Sequence, residues 1–313
     1  MSDATPDPLA AFRAAPAPPD PRASTLLRPA TGPLAAGETV ILGLPYDGGV
    51  PTRPGARFGP KAIRDALAAF GAYDGERDVV PTTDLGDLAL PTMNGREAHA
   101  RIEGAAREVF AAGARAIFLG GDHGCTGSVV RGLAAARPDV RLGVINIDAH
   151  LDVREYADDA SLSSGTPFRR AIESGIVDGA RVSMVGIRRF ANSRHYLDWA
   201  REQGIHLITL DELAAKGAVQ SAKAALYAAT RDADALYLSI DMDAADAAFA
   251  PGVSASGIGG LTAREMIDLV TTIASHPLLI GADVMELSPP YDHDARTAKL
   301  AARLVLELLA GRV

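Results

Sequence analysis

The 313-residue sequence contains one cysteine, Cys125. That excludes an intramolecular disulfide and fits a reducing compartment. An excess of basic charge is missing too. With 31 Lys and Arg against 39 Asp and Glu, the formal net charge is −8. This argues against nucleic acid and anionic membranes as partners. No apolar run reaches the roughly 20 residues of a membrane-spanning helix. The N-terminus has no basic stretch followed by an apolar core, so a cytoplasmic protein is expected. No Gly-x-Gly-x-x-Gly or other phosphate-cradling loop follows a predicted strand, which argues against a nucleotide-binding α/β protein. No fixed-period repeat and no linker-like composition break interrupts the chain.

What the sequence does have is alternation. Residues 1–36 are rich in Pro and Ala and predict an extended arm lying on the surface or on a neighbouring subunit of a homo-oligomer. Residues 37–313 read as one domain. Strands are predicted at 39–44, 115–119, 141–147, 181–187, 205–209, 235–241 and 279–285. Helices are predicted at 60–70, 96–112, 125–136, 193–203, 219–231, 262–274 and 294–310. Such alternation gives βαβ units and an α/β fold with a mostly parallel sheet covered on both faces. The Gly- and Pro-punctuated segment 48–60 is long enough to wall a pocket, although an ordinary surface loop has the same composition.

Three predicted strands end in residues that bind metals. The apolar run at 144–147 leads into Asp148, His150 and Asp152, spaced by two. On an extended backbone these side chains share one side. Residues 236–240 lead in the same way into Asp241 and Asp243. The strand at 115–119 runs into Gly120-Gly121-Asp122-His123, whose glycines allow a sharp turn. A strand running into a polar loop is the plainer reading of any one of these. Three together are harder to explain, because crowded carboxylates repel unless cations hold them. Oxygen and imidazole ligands without thiolate suit Mn²⁺ or a similar ion. Six ligands suit two ions with shared carboxylates.

Gly120–His123, Asp148–Asp152, Ser239–Asp243 and Met285–Pro289 resemble the motifs of the ureohydrolases, the arginase and agmatinase family. The resemblance implies a three-layer α/β/α sandwich and two Mn²⁺ per subunit. It implies water activated by those metals for attack on a guanidine or amidine carbon. It assigns His123, Asp148, Asp152 and Asp241 to one ion and Asp148, His150, Asp241 and Asp243 to the other. Asp148 and Asp241 then bridge, and Asp152 and Glu286 are the candidate catalytic residues. Glu286, at the end of the 279–285 strand, suits the substrate's cationic head. The alternative for it is a surface ion pair.

Substrate choice rests on fewer positions. Ser164 stands where guanidine-splitting members carry His. The runs 164–168, 190–193, 247–255 and 296–298 resemble formimidoylglutamases, the ureohydrolases of histidine breakdown. Gly124 and Ser256 depart from that pattern. Arg154, two residues beyond Asp152, would reach the same cleft on an extended backbone, with Arg169 or Arg170 as candidate helpers. A guanidinium there favours an acidic amidine and disfavours agmatine. The alternative is a solvated loop arginine. The expected activity is hydrolysis of N-formimidoyl-L-glutamate to L-glutamate and formamide, with a guanidino acid or agmatine as the alternative substrate. His293 is a further, weaker candidate for the pocket.

Overall fold

The computed structural model describes residues 20–160 and 162–311. The first 19 residues of the expected arm lie outside them. Nine strands are found among the described residues: β1 (Leu27–Pro29), β2 (Thr39–Leu44), β3 (Thr82–Asp87), β4 (Arg115–Gly120), β5 (Leu142–Ile147), β6 (Val182–Ile187), β7 (His206–Thr209), β8 (Ala235–Asp241) and β9 (Leu279–Met285). They form one sheet in the order β1-β3-β2-β4-β9-β8-β5-β6-β7. Every pairing in it is parallel.

The inner strands are apolar on both faces because helices cover both. Along β4, Ile117 and Leu119 enter one core and Ala116 and Phe118 the other. In β5 the division is Ile145 and Ile147 against Leu142 and Val144. The first core is closed by α1 (Gly59–Ala66), α6 (Leu210–Lys216), α7 (Ala218–Thr230), α8 (Ala263–Ala274) and α9 (Arg296–Ala310). The second is closed by α2 (Gly95–Ala111), α3 (Gly124–Ala136), α4 (Pro167–Glu173) and α5 (Arg194–Glu202). This is the expected three-layer α/β/α sandwich.

The differences from the sequence-based expectation have physical causes. Strand β3 reads Thr-Thr-Asp-Leu-Gly-Asp, too polar to announce itself. Arg64 of α1 holds it, pairing with Asp84 at 2.8 Å and Asp87 at 2.5 Å. Strand β1 lies within the stretch expected as an arm. There Ala23 and Leu26 are buried, and Leu27–Pro29 pairs with Thr82–Asp84. Helix α6 is a single short element started by a capping box of Thr209 and Glu212. Helix α4 has Pro at its first position, where the missing N–H costs nothing.

Candidate metal centre

Four strands that are neighbours in the sheet, β4, β9, β8 and β5, bring the expected ligands to one edge. In a parallel sheet their C-terminal ends all face that edge, so loops distant in sequence meet there.

After β4 the chain turns through Gly121 and Asp122 to His123, which caps α3 and is fully buried. The turn is tight. A Cβ on Gly121 would lie 2.3 Å from the Tyr46 carbonyl oxygen, and only glycine avoids that clash. After β5 the backbone does not stay extended. The strand stops at Ile147, and Asp152 takes φ 49°. Strand alternation is therefore not what makes Asp148, His150 and Asp152 converge. A hydrogen-bonded loop does it instead. The Asp148 N–H donates to the Val185 carbonyl (3.0 Å) and the His150 N–H to Asp148 Oδ1 (2.6 Å). Asn192 clamps the middle, accepting from the Leu151 N–H (2.9 Å) and donating to the Ala149 carbonyl (3.0 Å). Beyond β8, Asp243 sits in a 3-10 turn, with its N–H donating to Asp241 Oδ1 at 2.7 Å.

All six residues nonetheless come together. His123, Asp148, Asp152 and Asp241 form one group able to hold an ion, and Asp148, His150 and Asp243 form a second. Asp148 belongs to both groups, whereas Asp241, the other expected bridge, falls in the first alone. From His123 Nδ1, Asp152 Oδ2 lies at 2.9 Å, Asp241 Oδ2 at 3.2 Å and Asp148 Oδ2 at 3.3 Å. None of these contacts has hydrogen-bond geometry, and Nδ1 is a buried atom without a partner. His150 Nδ1 lies 3.0 Å from Asp243 Oδ2, whose other oxygen is also buried and unpartnered.

The electrostatics describe a site short of positive charge. Burial pushes up the pKa values of Asp241 and Asp243, helped by neighbouring carboxylates. Burial and the Asp148 charge raise Asp152 to about 6. Burial opposes protonation of the two imidazoles, yet the carboxylates prevail. His123 is raised well above its ordinary value and His150 to about 12. Buried Asp148 is held below the carboxylate range by both histidines. In such a cluster protons stand in for cations. Unpartnered buried donor atoms and a thiolate-free set of oxygens and nitrogens fit one or two divalent ions.

Glu286 follows β9 at φ 67°, and its N–H donates to the Gly121 carbonyl at 2.9 Å. Its Oε1 accepts from the His123 N–H at 2.8 Å, while Oε2 is buried without a partner. Burial and the charge of Asp122 raise it to about 8. Asp122 itself is raised to about 7 by burial and accepts from the Gly49 N–H at 2.7 Å.

A cavity of about 260 Å³ opens over these groups. Arg154 and Ser164 line it, as do Pro51 and Thr52 of the 48–60 loop and Tyr196 of α5. Arg154 has no carboxylate partner among the described residues, and its guanidinium carbon lies 6.0 Å from the Tyr196 ring centroid. Arg169 and Arg170 do not join it. Arg169 pairs with Glu173 at 2.8 Å over the Trp199 ring, and Arg170 covers the Tyr156 ring at 3.7 Å. His293 does not line the cavity either. The Gly124 departure is explained by crowding, since a Cβ there would lie 3.1 Å from the Ser163 backbone.

Sequence reading missed Asn192 as a clamp, Tyr196 as lining, and Asp283. Asp283 is fully buried in β9 and accepts from Tyr237 (2.7 Å), Thr126 (2.8 Å) and Ser239 (2.6 Å). A carboxylate inside the run Leu-Ile-Gly-Ala-Asp-Val-Met was the available signal.

Two adjoining groups of carboxylates and imidazoles able to hold metal ions, on the strand ends of a parallel α/β/α sandwich, are what a hydrolase that activates water with metals needs. The Arginase family model matches residues 37–311, and the chain belongs to that family, whose enzymes are hydrolases acting on amidino C–N bonds. It is 38% identical to the guanidinopropionase of Pseudomonas aeruginosa over 283 residues, covering 88% of this chain and 86% of that protein. It is 37% identical to the formimidoylglutamase of Halobacterium salinarum, covering 88% of each. The structure of Trypanosoma cruzi formiminoglutamase with manganese superposes with a TM-score of 0.82 at 30% identity, covering 93% of this chain and 98% of that one. Among the described residues no helix is long and apolar enough to cross a membrane.

Proposed function

We propose that the chain hydrolyses N-formimidoyl-L-glutamate to L-glutamate and formamide, with two Mn²⁺ held by His123, Asp148, Asp152 and Asp241 and by Asp148, His150, Asp241 and Asp243. When bound, such ions lower the pKa of water to near neutrality and polarise the group under attack. The protein residues do the rest. The Glu286 carboxylate, with Oε1 held by the His123 N–H, leaves Oε2 for the substrate's amidinium. That cation offsets the burial and the Asp122 charge that raise the Glu286 pKa. Arg154 takes a substrate carboxylate, and Ser164 keeps its part of the wall small and neutral.

The observation that carries this reading is the unpaired Arg154 guanidinium lining the same cavity as Glu286. A substrate positive at one end and negative at the other satisfies both. The second reading is a guanidino acid that releases urea. It is supported by the 38% identity to guanidinopropionase, and such a substrate also carries a carboxylate. The test is parallel turnover of formimidoylglutamate, guanidinopropionate, guanidinobutyrate and agmatine by manganese-loaded protein. The expected result is formamide release from formimidoylglutamate with the highest kcat/KM. Preference for a guanidino acid moves the assignment to the second reading, and preference for agmatine removes both.

A further inference from the structure

A second cavity, of about 330 Å³, is lined in part by residues that neighbour the first cavity's lining in sequence. Residues within 154–160 and 162–165 border one or the other. Arg154, Ser163 and Ser164 line the metal-side cavity, whereas Tyr156, Asp159 and Leu162 line the other. Nothing in the proposed hydrolysis uses this second space.

Its chemistry is cationic. Arg96 of α2, Arg131 of α3 and Arg170 of α4 line it, against two carboxylates, Glu103 and Asp159. Glu103 accepts from Arg131 Nε at 2.9 Å, and Asp159 stands 3.9 Å from Arg170. Arg96 is exposed and has no carboxylate partner among the described residues. One guanidinium is therefore left uncompensated beside two that crowd each other. Burial and the nearby Arg131 charge depress the Arg170 pKa. An anion between them relieves that repulsion.

His99 adds a donor without adding charge. Its Nδ1 lies 2.8 Å from Ser128 Oγ, which accepts from Arg131 Nη2 at 2.9 Å. The hydroxyl has one proton to give, and Nδ1 takes it, so the His99 proton sits on Nε2. That atom is buried without a partner. Burial, with the charges of Arg131 and Arg170, holds the His99 pKa down to about 4, so the ring is neutral.

We propose that this cavity is a binding site for a small oxyanion, a carboxylate or phosphate group on a small molecule, seated among Arg96, Arg131 and Arg170. Guanidinium groups grip both anions through paired N–H donors. A bound anion would touch the back of the segment whose front carries Arg154 and Ser164.

Calorimetric titration of the manganese-loaded full chain with inorganic phosphate and with glutarate, at matched chloride ionic strength, tests this. The only tryptophan, Trp199, lies 4.6 Å from the Arg169 guanidinium on the same helix as Arg170, and its fluorescence gives a second readout. Saturable binding is expected, weakened roughly tenfold in Arg96→Gln by loss of one charge-assisted contact and retained in Arg96→Lys. The probe that binds identifies whether phosphate or carboxylate is the source. Manganese content should be the same in all three proteins. Absence of saturable binding for both probes at millimolar concentration would overturn the proposal. So would equal affinity in wild type and Arg96→Gln, which would place the anion at the metals.

Discussion

The Ser239 hydroxyl lies 2.9 Å from His123 Nε2. Because Ser239 donates its own proton to Asp283 at 2.6 Å, it can only accept from the histidine. One His123 proton is thereby fixed on Nε2, and Nδ1, facing the three carboxylates, is the nitrogen that gives up its proton to become a metal ligand.

Ser239→Ala removes this control without touching a ligand. Manganese affinity should fall roughly 10- to 100-fold, the usual cost of losing a ligand's outer partner. Metal titration followed by calorimetry checks it. Unchanged affinity would mean that packing alone orients His123.

Metal uptake should release protons, and apparent affinity should rise with pH. His150 is pushed up to about 12 and His123 well above its ordinary value, so both hold protons at neutral pH in the metal-free chain. Manganese must displace them. As pH falls, proton competition grows and affinity drops. Titrations in buffers of different ionisation enthalpy count the protons, and none released at pH 7 would contradict the assignment.

Glu286→Gln keeps the shape and removes the charge. It should lower kcat/KM by a factor equivalent to about 2–3 kcal/mol, typical for a charged partner in a desolvated site. Manganese content should not change, since Glu286 is outside both ligand groups. Steady-state kinetics with metal analysis decide, and unchanged kcat/KM would move Glu286 out of the substrate's reach.

Arg154→Ala should raise KM for formimidoylglutamate far more than it lowers kcat, because a carboxylate contact made equally in ground and transition states is uniform binding. Discrimination against agmatine should weaken as the repelling guanidinium goes. Kinetics on both substrates test this, and an unmoved KM would sink the role given to Arg154.

The strand-end ligands were legible because each follows an apolar run and each is an Asp or His, types that rarely crowd without a cation. Their outer support was not. The Asn192 clamp, the Ser239–Asp283 pair and the turn at Asp152 are relations between segments, and no local spacing encodes them. The same limit explains Arg169 and Arg170. They are close to Ser164 in sequence, but Glu173, Trp199 and Tyr156 claim them. Strand β3 escaped notice because its stability comes from Arg64 on another element rather than from apolar side chains.

The sheet order also has a consequence for how the protein is made. Strand β9 is the last to be synthesised, yet it lies between β4 and β8. Until residue 285 is in place, the chain holds two partial sheets with facing open edges: β1-β3-β2-β4 and β8-β5-β6-β7. His123 is then on one and Asp148, His150, Asp152, Asp241 and Asp243 on the other. The site with its full ligand set can only be completed late, when β9 joins the halves. Before that, long-range parallel pairing leaves the two edges exposed to wrong partners.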